Sequence, residues 1–442
     1  MLKKTIFLGI FLLFATLSGI RGAEAKVYID LSAPQSKKLP IAIQDFKILS
    51  PVQPESATTV KRLNEELMDA LKTDLKFSGL FEIIDKKAYI EDPLKAGLTE
   101  SGTDFKQWRA IGAYALIKGG FILEKDRLTV EVRFFDSVTE KQVIGKRYMG
   151  SPDNPRRVIH YFTDQLYEEL TGRKGIFTTR LLFVSDKEGN KEVYMSDYDG
   201  RNAIKITRNR SINLSPQWSP DGKRIIYVSY KKGSPNLHML DLRTGKDSAV
   251  SERPGINIGG RFSPDGGKVA LTLSGDKSPE LHILDLNSGE YRKLTDNFGI
   301  DVSPSWSPDG AKLAFVSDTS GNPHIFVLDL LTGNIKRLTF NGKYNSSPAW
   351  SPDGRLIAYS RSDNGVFNIW VMQPDGAGSA QLTFEGNNRS PSWSPDGRFI
   401  IYSSAARGNS SLYIMRSDGT GSMRLETGIG NEKSPVWSPF LQ

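Results

Sequence analysis

The 442-residue sequence contains no cysteine. This excludes a disulfide framework, a thiolate metal site, a cysteine nucleophile and a lipid anchor on cysteine. Histidine is nearly as scarce, with four copies, and no H-E-x-x-H or other metal-ligand spacing connects them. His238 and His282 stand 44 residues apart and His324 falls about one residue out of that register, so the three read as one structural position repeated. His160 sits among apolar residues of a helical stretch. No G-x-S-x-G elbow occurs; the nearest imitation, Gly408-Asn409-Ser410-Ser411-Leu412, lacks its second glycine. There is no block of Lys and Arg and no basic stripe interleaved with aromatics. The formal net charge of +8 therefore reads as a solvated basic surface without a nucleic-acid face.

Long apolar runs are also missing, with one exception at the start. Lys3-Lys4, an apolar run from Ile6 to Leu17 and then Ala23-Glu24-Ala25 have the layout of a secretory signal peptide cut between Ala25 and Lys26. The run is short for a membrane span, so a retained anchor is the lesser reading. The expectation is an exported protein, with +6 on the mature chain once Lys3, Lys4, Arg21 and Glu24 are removed.

What the sequence has in abundance is one phrase. W-S-P-D-G begins at Trp218, Trp306, Trp350 and Trp393, F-S-P-D-G begins at Phe262, and W-S-P begins at Trp437, in steps of 44, 44, 44, 43 and 44 residues. A period of about 40–45 residues with aromatic and turn signatures marks propeller blades of four strands. Ser at i, Pro at i+1, Asp at i+2 and Gly at i+3 suit a type I turn. Apolar runs such as Ile225–Val228 and Leu313–Val316 supply the next strand, and short charged segments such as Lys336–Thr339 blunt the outer edge. Leu181–Val184, Val193–Met195 and Ile204–Thr207 form a blade lacking its first strand, and Ser434–Trp437 is a first strand lacking a blade. Joining them closes a six-bladed ring over residues 181–442.

Residues 26–171 lack the period. They alternate strands (Val27–Leu31, Ile41–Phe46, Leu80–Ile84, Tyr114–Ile117, Gly120–Leu123, Leu128–Phe135, Gln142–Tyr148) with helices (Thr59–Phe77, Asp104–Ile111, Arg156–Leu170), a small α/β domain. Residues 172–180 form a basic linker too short for free tumbling, so the two domains should touch.

The repeated Asp221, Asp265, Asp309, Asp353 and Asp396 read as turn caps, and the repeated tryptophans as packing between blades. A cation in the ring's channel stays open; no other cofactor or metal is indicated. Segments before each aromatic vary from blade to blade, and all six should lie at one end of the ring. Asn213, Ile256, Asn257, Asp301, Val302, Tyr344, Asn345, Asn388, Arg389, Glu432 and Lys433 are the candidate partner-binding residues there, apolar anchors within a polar rim.

The order of signal, small domain and propeller resembles the TolB family of periplasmic proteins. Glu169-Leu170-Thr171-Gly172 with Lys174-Gly175 and Phe177 is similar to its interdomain junction. Ser196–Gly200 is similar to its first-blade turn, and Trp437–Leu441 to its ending. The resemblance implies a monomeric, non-enzymatic periplasmic scaffold of the Tol–Pal system. It would link the inner-membrane Tol proteins to the outer-membrane lipoprotein Pal, supporting envelope integrity and outer-membrane constriction at cell division. Pal would meet the rim, and TolA would meet the segment Lys26, Val27, Tyr28, Ile29, Asp30 and Leu31, which strand addition would suit. Some family members carry a partner-contacting His where this chain has Ile256, and a Thr where it has Val302, so the resemblance implies that the face here meets a differently shaped, more apolar Pal surface. The remaining alternatives are a hydrolase of the prolyl-oligopeptidase type, whose propellers carry similar repeats, and a glycan-binding propeller.

Overall fold

The computed structural model describes residues 38–49, 57–92, 96–275, 278–406 and 408–441. The signal segment, its cleavage site at Ala25 and Lys26, and the expected strand Val27–Leu31 lie outside the described residues.

The N-terminal unit contains β1 (Leu39–Ile43), β2 (Lys47–Ile48), α1 (Ala57–Ser78), β3 (Phe81–Ile83), α2 (Phe105–Ala110), β4 (Ala115–Glu124), β5 (Arg127–Asp136), β6 (Lys141–Gly150) and α3 (Arg156–Thr171). Its sheet runs β3-β1-β4-β5-β6, with β2 also beside β4. β1 is parallel to β3 and β4, and β4, β5 and β6 are antiparallel. The period-two alternation of strands sends Ile41 and Ile43 to one face and Ala42 to the other. On the first face Leu63, Leu67 and Leu71 of α1 and Ile159, Phe162 and Leu166 of α3 complete a core; on the second Phe105 and Trp108 of α2 cover Ala42 and Leu116. α1 stops at Ser78 because Gly79 takes a left-handed φ of 76°.

One expectation is corrected here. Tyr114–Ile117 and Gly120–Leu123 are not two strands: all but Tyr114 belong to the single strand β4. Gly119 and Gly120 do not break it. A Cβ at Gly119 would lie 2.7 Å from the Phe46 ring, and one at Gly120 would lie 2.8 Å from the Lys47 carbonyl. The glycines leave room for the chain that crosses from β1 to β2.

The ring has six four-stranded sheets. Its inner strands are Asn213–Trp218, Asn257–Phe262, Asp301–Trp306, Tyr344–Trp350, Asn387–Trp393 and Glu432–Trp437. The last pairs antiparallel with Arg180–Ser185, Glu432 opposite Ser185 and Trp437 opposite Leu181, so tail and head share a blade as expected. The S-P-D-G turns follow their chemistry. Gly310 N donates to Ser307 O at 2.9 Å, and Ser307 Oγ donates to Asp309 Oδ1 at 2.5 Å. Asp221, Asp265, Asp353 and Asp396 accept the same serine hydroxyl bond at 2.5–2.7 Å, which makes them turn caps. The aromatics join blades: Trp306 Nε1 donates to Arg261 O at 3.1 Å and Trp393 Nε1 to Ala349 O at 2.9 Å.

The small domain docks on the end of the ring that carries these turns. Phe77 of α1 stacks on Phe399 with centroids 4.3 Å apart and meets Tyr198 edge-on at 5.2 Å. Each such aromatic pair contributes about 0.5–1.5 kcal/mol beyond its buried area. The linker is packed down, with Ile176 and Phe177 fully buried and Asp164 accepting from Phe177 N at 2.8 Å and Thr178 N at 3.0 Å. Arg156 bridges Asp69 at 2.6 Å and Asp199 of the ring at 2.5 Å. At the centre, Asp74 accepts from His160 Nδ1 at 2.9 Å and from the Tyr198 hydroxyl at 2.7 Å, with all three side chains buried.

Burial alone pulls the His160 imidazole down, but the Asp74 carboxylate beside it, with Asp199 and Asp197 behind, holds its pKa up at about 9. A folded pKa above the unfolded value of about 6.5 stabilises the fold below that pH and ceases to do so as pH rises through 9. The expected result is a loss on the order of 3 kcal/mol between pH 6 and pH 9.5, read by urea unfolding, that is absent in His160→Gln. Equal pH dependence in the two proteins would show that His160 is not the group titrating.

Candidate partner-docking rim

Each inner strand runs from its variable segment down to its aromatic, and in five of the six then into the S-P-D-G turn. The variable segments therefore open at the end of the ring away from the small domain, where the loops entering each inner strand gather. All six fall at that one end, and no described part of the N-terminal unit covers them.

Position relative to the aromatic decides what each residue does. Asn213, Asn257, Asp301, Asn345, Asn388 and Glu432 share one phase, and every one of them is buried. Their side chains brace the loops rather than facing outward. Asn213 Nδ2 donates to Glu192 Oε2 at 2.8 Å and Asn257 Nδ2 to Arg253 O at 2.8 Å. Asp301 Oδ2 accepts from Asn297 Nδ2 at 2.7 Å, and Asn345 Nδ2 donates to Asn341 O at 3.0 Å. Asn388 Nδ2 donates to Glu385 O at 2.7 Å, and Glu432 Oε1 accepts from Gly430 N at 2.8 Å. The structure thus places these six partner-binding candidates beneath the rim surface, where they hold the loops in place; Asp301 Oδ1, Asn345 Oδ1 and Glu432 Oε2 keep no hydrogen-bond partner there.

The exposed or half-buried members are Ile256, Val302, Tyr344, Arg389 and Lys433. Tyr344 and Arg389, one blade apart, are brought together around Phe367. The Tyr344 and Phe367 rings meet edge-on at 5.6 Å, and the Arg389 guanidinium lies 3.7 Å over the Phe367 ring. Burial pulls the Arg389 pKa down from its ordinary value, against the nearby Tyr344. Lys433 sits alone on the closing blade, 3.5 Å from Asp186. Ile256 and Val302 are not equivalent positions; the counterpart of Ile256 one repeat of 44 residues later is Ile300. Ile212, Ile256, Ile300 and Tyr344 form a column on four successive blades, and Ile212, Ile300 and Tyr344 are exposed. Ile212 and Ile300 are absent from the sequence-derived candidates, although counting back from the aromatic finds them. Phe298, Phe340 and Phe384 are strongly exposed in the loops leading into the same end. Apolar and aromatic side chains set among Arg, Lys and Asn form a surface of the kind proteins use to dock.

His282 Nδ1 lies 3.1 Å from its own strand's Glu280 O and His324 Nδ1 lies 3.2 Å from Thr339 Oγ1, both structural contacts. Among the described residues no three His, Asp or Glu side chains gather as a metal site.

Comparison with known proteins agrees with this architecture. The family model described as the TolB beta propeller domain matches residues 167–441, and that of the TolB amino-terminal domain matches residues 27–143. A Tol-Pal system protein TolB from Desulfosudis oleivorans is 40% identical over 196 residues, 44% of either chain. Its counterpart from Syntrophotalea carbinolica is 44% identical over 204 residues, 46% of either chain. The chain spans about half the length of the curated relatives it matches. The crystal structure of TolB from Acinetobacter baumannii superposes with a TM-score of 0.76 at 27% identity, covering 91% of this chain and 97% of that one. With the propeller model spanning well over half of the sequence and the second model covering much of the remainder, the chain belongs to the TolB family.

Proposed function

We propose that this chain is a non-enzymatic scaffold of the Tol–Pal system in the periplasm, docking the lipoprotein Pal on its open rim. The observation that carries this reading is the Tyr344–Phe367–Arg389 cluster beside the exposed isoleucine column, at the end of the ring that no described residue of the small domain covers. Tyr and Arg are the residue types that most often dominate a protein interface, and their neighbours serve to keep water out. Lys26–Leu31, outside the described residues, is the segment offered to TolA. Docking at the rim would bias that segment between ordered and free states, a population shift that requires differential affinity for the two states. Linking the two membranes in this way would support envelope integrity and constriction at division, with no cofactor needed.

The test is titration of purified Pal into the wild-type chain and into Tyr344→Ala plus Arg389→Ala. Binding at least about thirtyfold weaker in the double variant, with an unchanged circular dichroism spectrum, is expected from the loss of two such anchors. Unchanged affinity would remove the rim from the interaction.

A further inference from the structure

The channel through the ring carries one charge that nothing answers. It widens into a cavity of about 300 Å³, and no Asp or Glu is among its lining residues. In five blades the inner strand reads Ser-Pro-x before its tryptophan; in the sixth case it reads Gly259-Gly260-Arg261 before Phe262. The residue immediately before each aromatic faces this cavity, giving Gln217, Arg261, Ser305, Ala349, Ser392 and Val436 around the ring. Arg261 is thus the single ionised side chain at that level.

Its side chain is half-buried and poorly partnered. Arg261 Nε donates to Pro304 O at 3.2 Å. Burial pulls its pKa down to about 10, and no acidic neighbour opposes that effect. A half-buried guanidinium with no carboxylate among its cavity neighbours leaves its charge for a bound anion to pair with. The wall around it is rich in donors. Ser305 Oγ accepts from Trp350 N at 3.2 Å and Ser392 Oγ accepts from Trp437 N at 3.1 Å. Each of those hydroxyls keeps its own proton to donate inward. Gln217, in the preceding blade, adds an amide.

We propose that the channel of this chain holds a compact oxyanion, of the size of a phosphate or a small carboxylate, against Arg261, with Gln217 and Ser305 as flanking donors. The planar fork of a guanidinium suits two oxygens of such an ion. A cation is disfavoured at the same place, because it would meet a positive charge and no carboxylate. The site is separate from the docking rim and stands whether or not the rim receives Pal.

Inorganic phosphate is the probe, titrated into the full chain at constant ionic strength with chloride as the reference ion. Followed by calorimetry and by broadening of the phosphorus resonance, one phosphate should bind per wild-type chain. Arg261→Gln should bind at least about tenfold more weakly, the loss of a charge-assisted pair, and Arg261→Lys should fall between. Should Arg261→Gln fail to fold, Gln217→Glu serves in its place. A carboxylate there would occupy the guanidinium from within, so the folded variant should lose phosphate binding. Phosphate bound no better than chloride, affinity unchanged in Arg261→Gln or Gln217→Glu, or calcium retained in place of phosphate would each overturn the proposal.

Discussion

A chain ending before Glu432 is expected not to form a stable propeller. The strand it lacks, Glu432–Trp437, is hydrogen-bonded to Arg180–Ser185 along its length and supplies the inner edge of the closing blade. Removing it exposes Leu181, Leu182 and Phe183, all fully buried, and leaves an unpaired strand edge facing the channel. It also removes two ties between tail and head: Trp437 Nε1 donating to Thr179 Oγ1 at 2.9 Å, and Arg180 N donating to Ser438 Oγ at 3.0 Å. Burial of large side chains contributes about 1.5–3 kcal/mol each, so this loss rivals the 5–15 kcal/mol that typically separates folded from unfolded domains. Trp437→Ala grades the same effect, at about 3–5 kcal/mol. Calorimetry of both variants is the measurement, and a propeller transition at the wild-type temperature in the truncated chain would show that five blades close without the sixth.

Asp74→Ala should lower stability by about 3–5 kcal/mol, the usual cost of removing one partner from a buried ionic pair. Asp74 is fully buried and answers both His160 and Tyr198, so its loss strands a cation and a phenol together. His160 Nε2 has no hydrogen-bond partner of its own to compensate. Asp69, on the same helix and the same interface, is the control. It pairs with Arg156, but its side chain is 58% exposed, and Asp69→Ala should cost less than about 1 kcal/mol. Guanidinium unfolding followed by tryptophan fluorescence separates the two cases. Asp74→Ala should also weaken the coupling of the two domains and broaden the transition, because one of two buried polar bridges between them is gone and only Arg156–Asp199 remains. Equal effects of the two substitutions would mean that burial is not what gives Asp74 its weight.

The ring was legible because its information is periodic. Trp218, Phe262, Trp306, Trp350, Trp393 and Trp437 mark equivalent places, and the turn chemistry beside each needs no long-range partner. The closing blade followed from the orphan strands at the two ends. What failed to show were interactions between residues far apart in sequence. Asp74, His160 and Tyr198 come from two helices and a blade turn, and no local pattern links them. The rim was half legible. Polar residues in variable segments look exposed, yet Asn213, Asn257 and Asn388 spend their amides on loop carbonyls and carboxylates or neighbouring side chains in the interior. Phase, more than polarity, separates those braces from Ile212, Ile300 and Tyr344. Arg261 stood in plain view as a departure from Ser-Pro-x, but its isolation from any acid is a fact of the channel and not of the string.

Because the head of the ring waits for its tail, the order of synthesis matters. Ser185 and Gly430, bonded through Ser185 Oγ, are 245 residues apart. During translation the strands Arg180–Ser185, Glu192–Asp197 and Ile204–Lys205 leave the ribosome with their inner neighbour still unmade. The blades made in between have their own four strands to pair while this first one keeps a sticky margin. At a synthesis rate of about 5–20 residues per second the interval lasts on the order of ten seconds or more. A chaperone that shields one edge for that dwell, or a nascent small domain already packed beneath it, would keep neighbouring polysome chains from swapping strands.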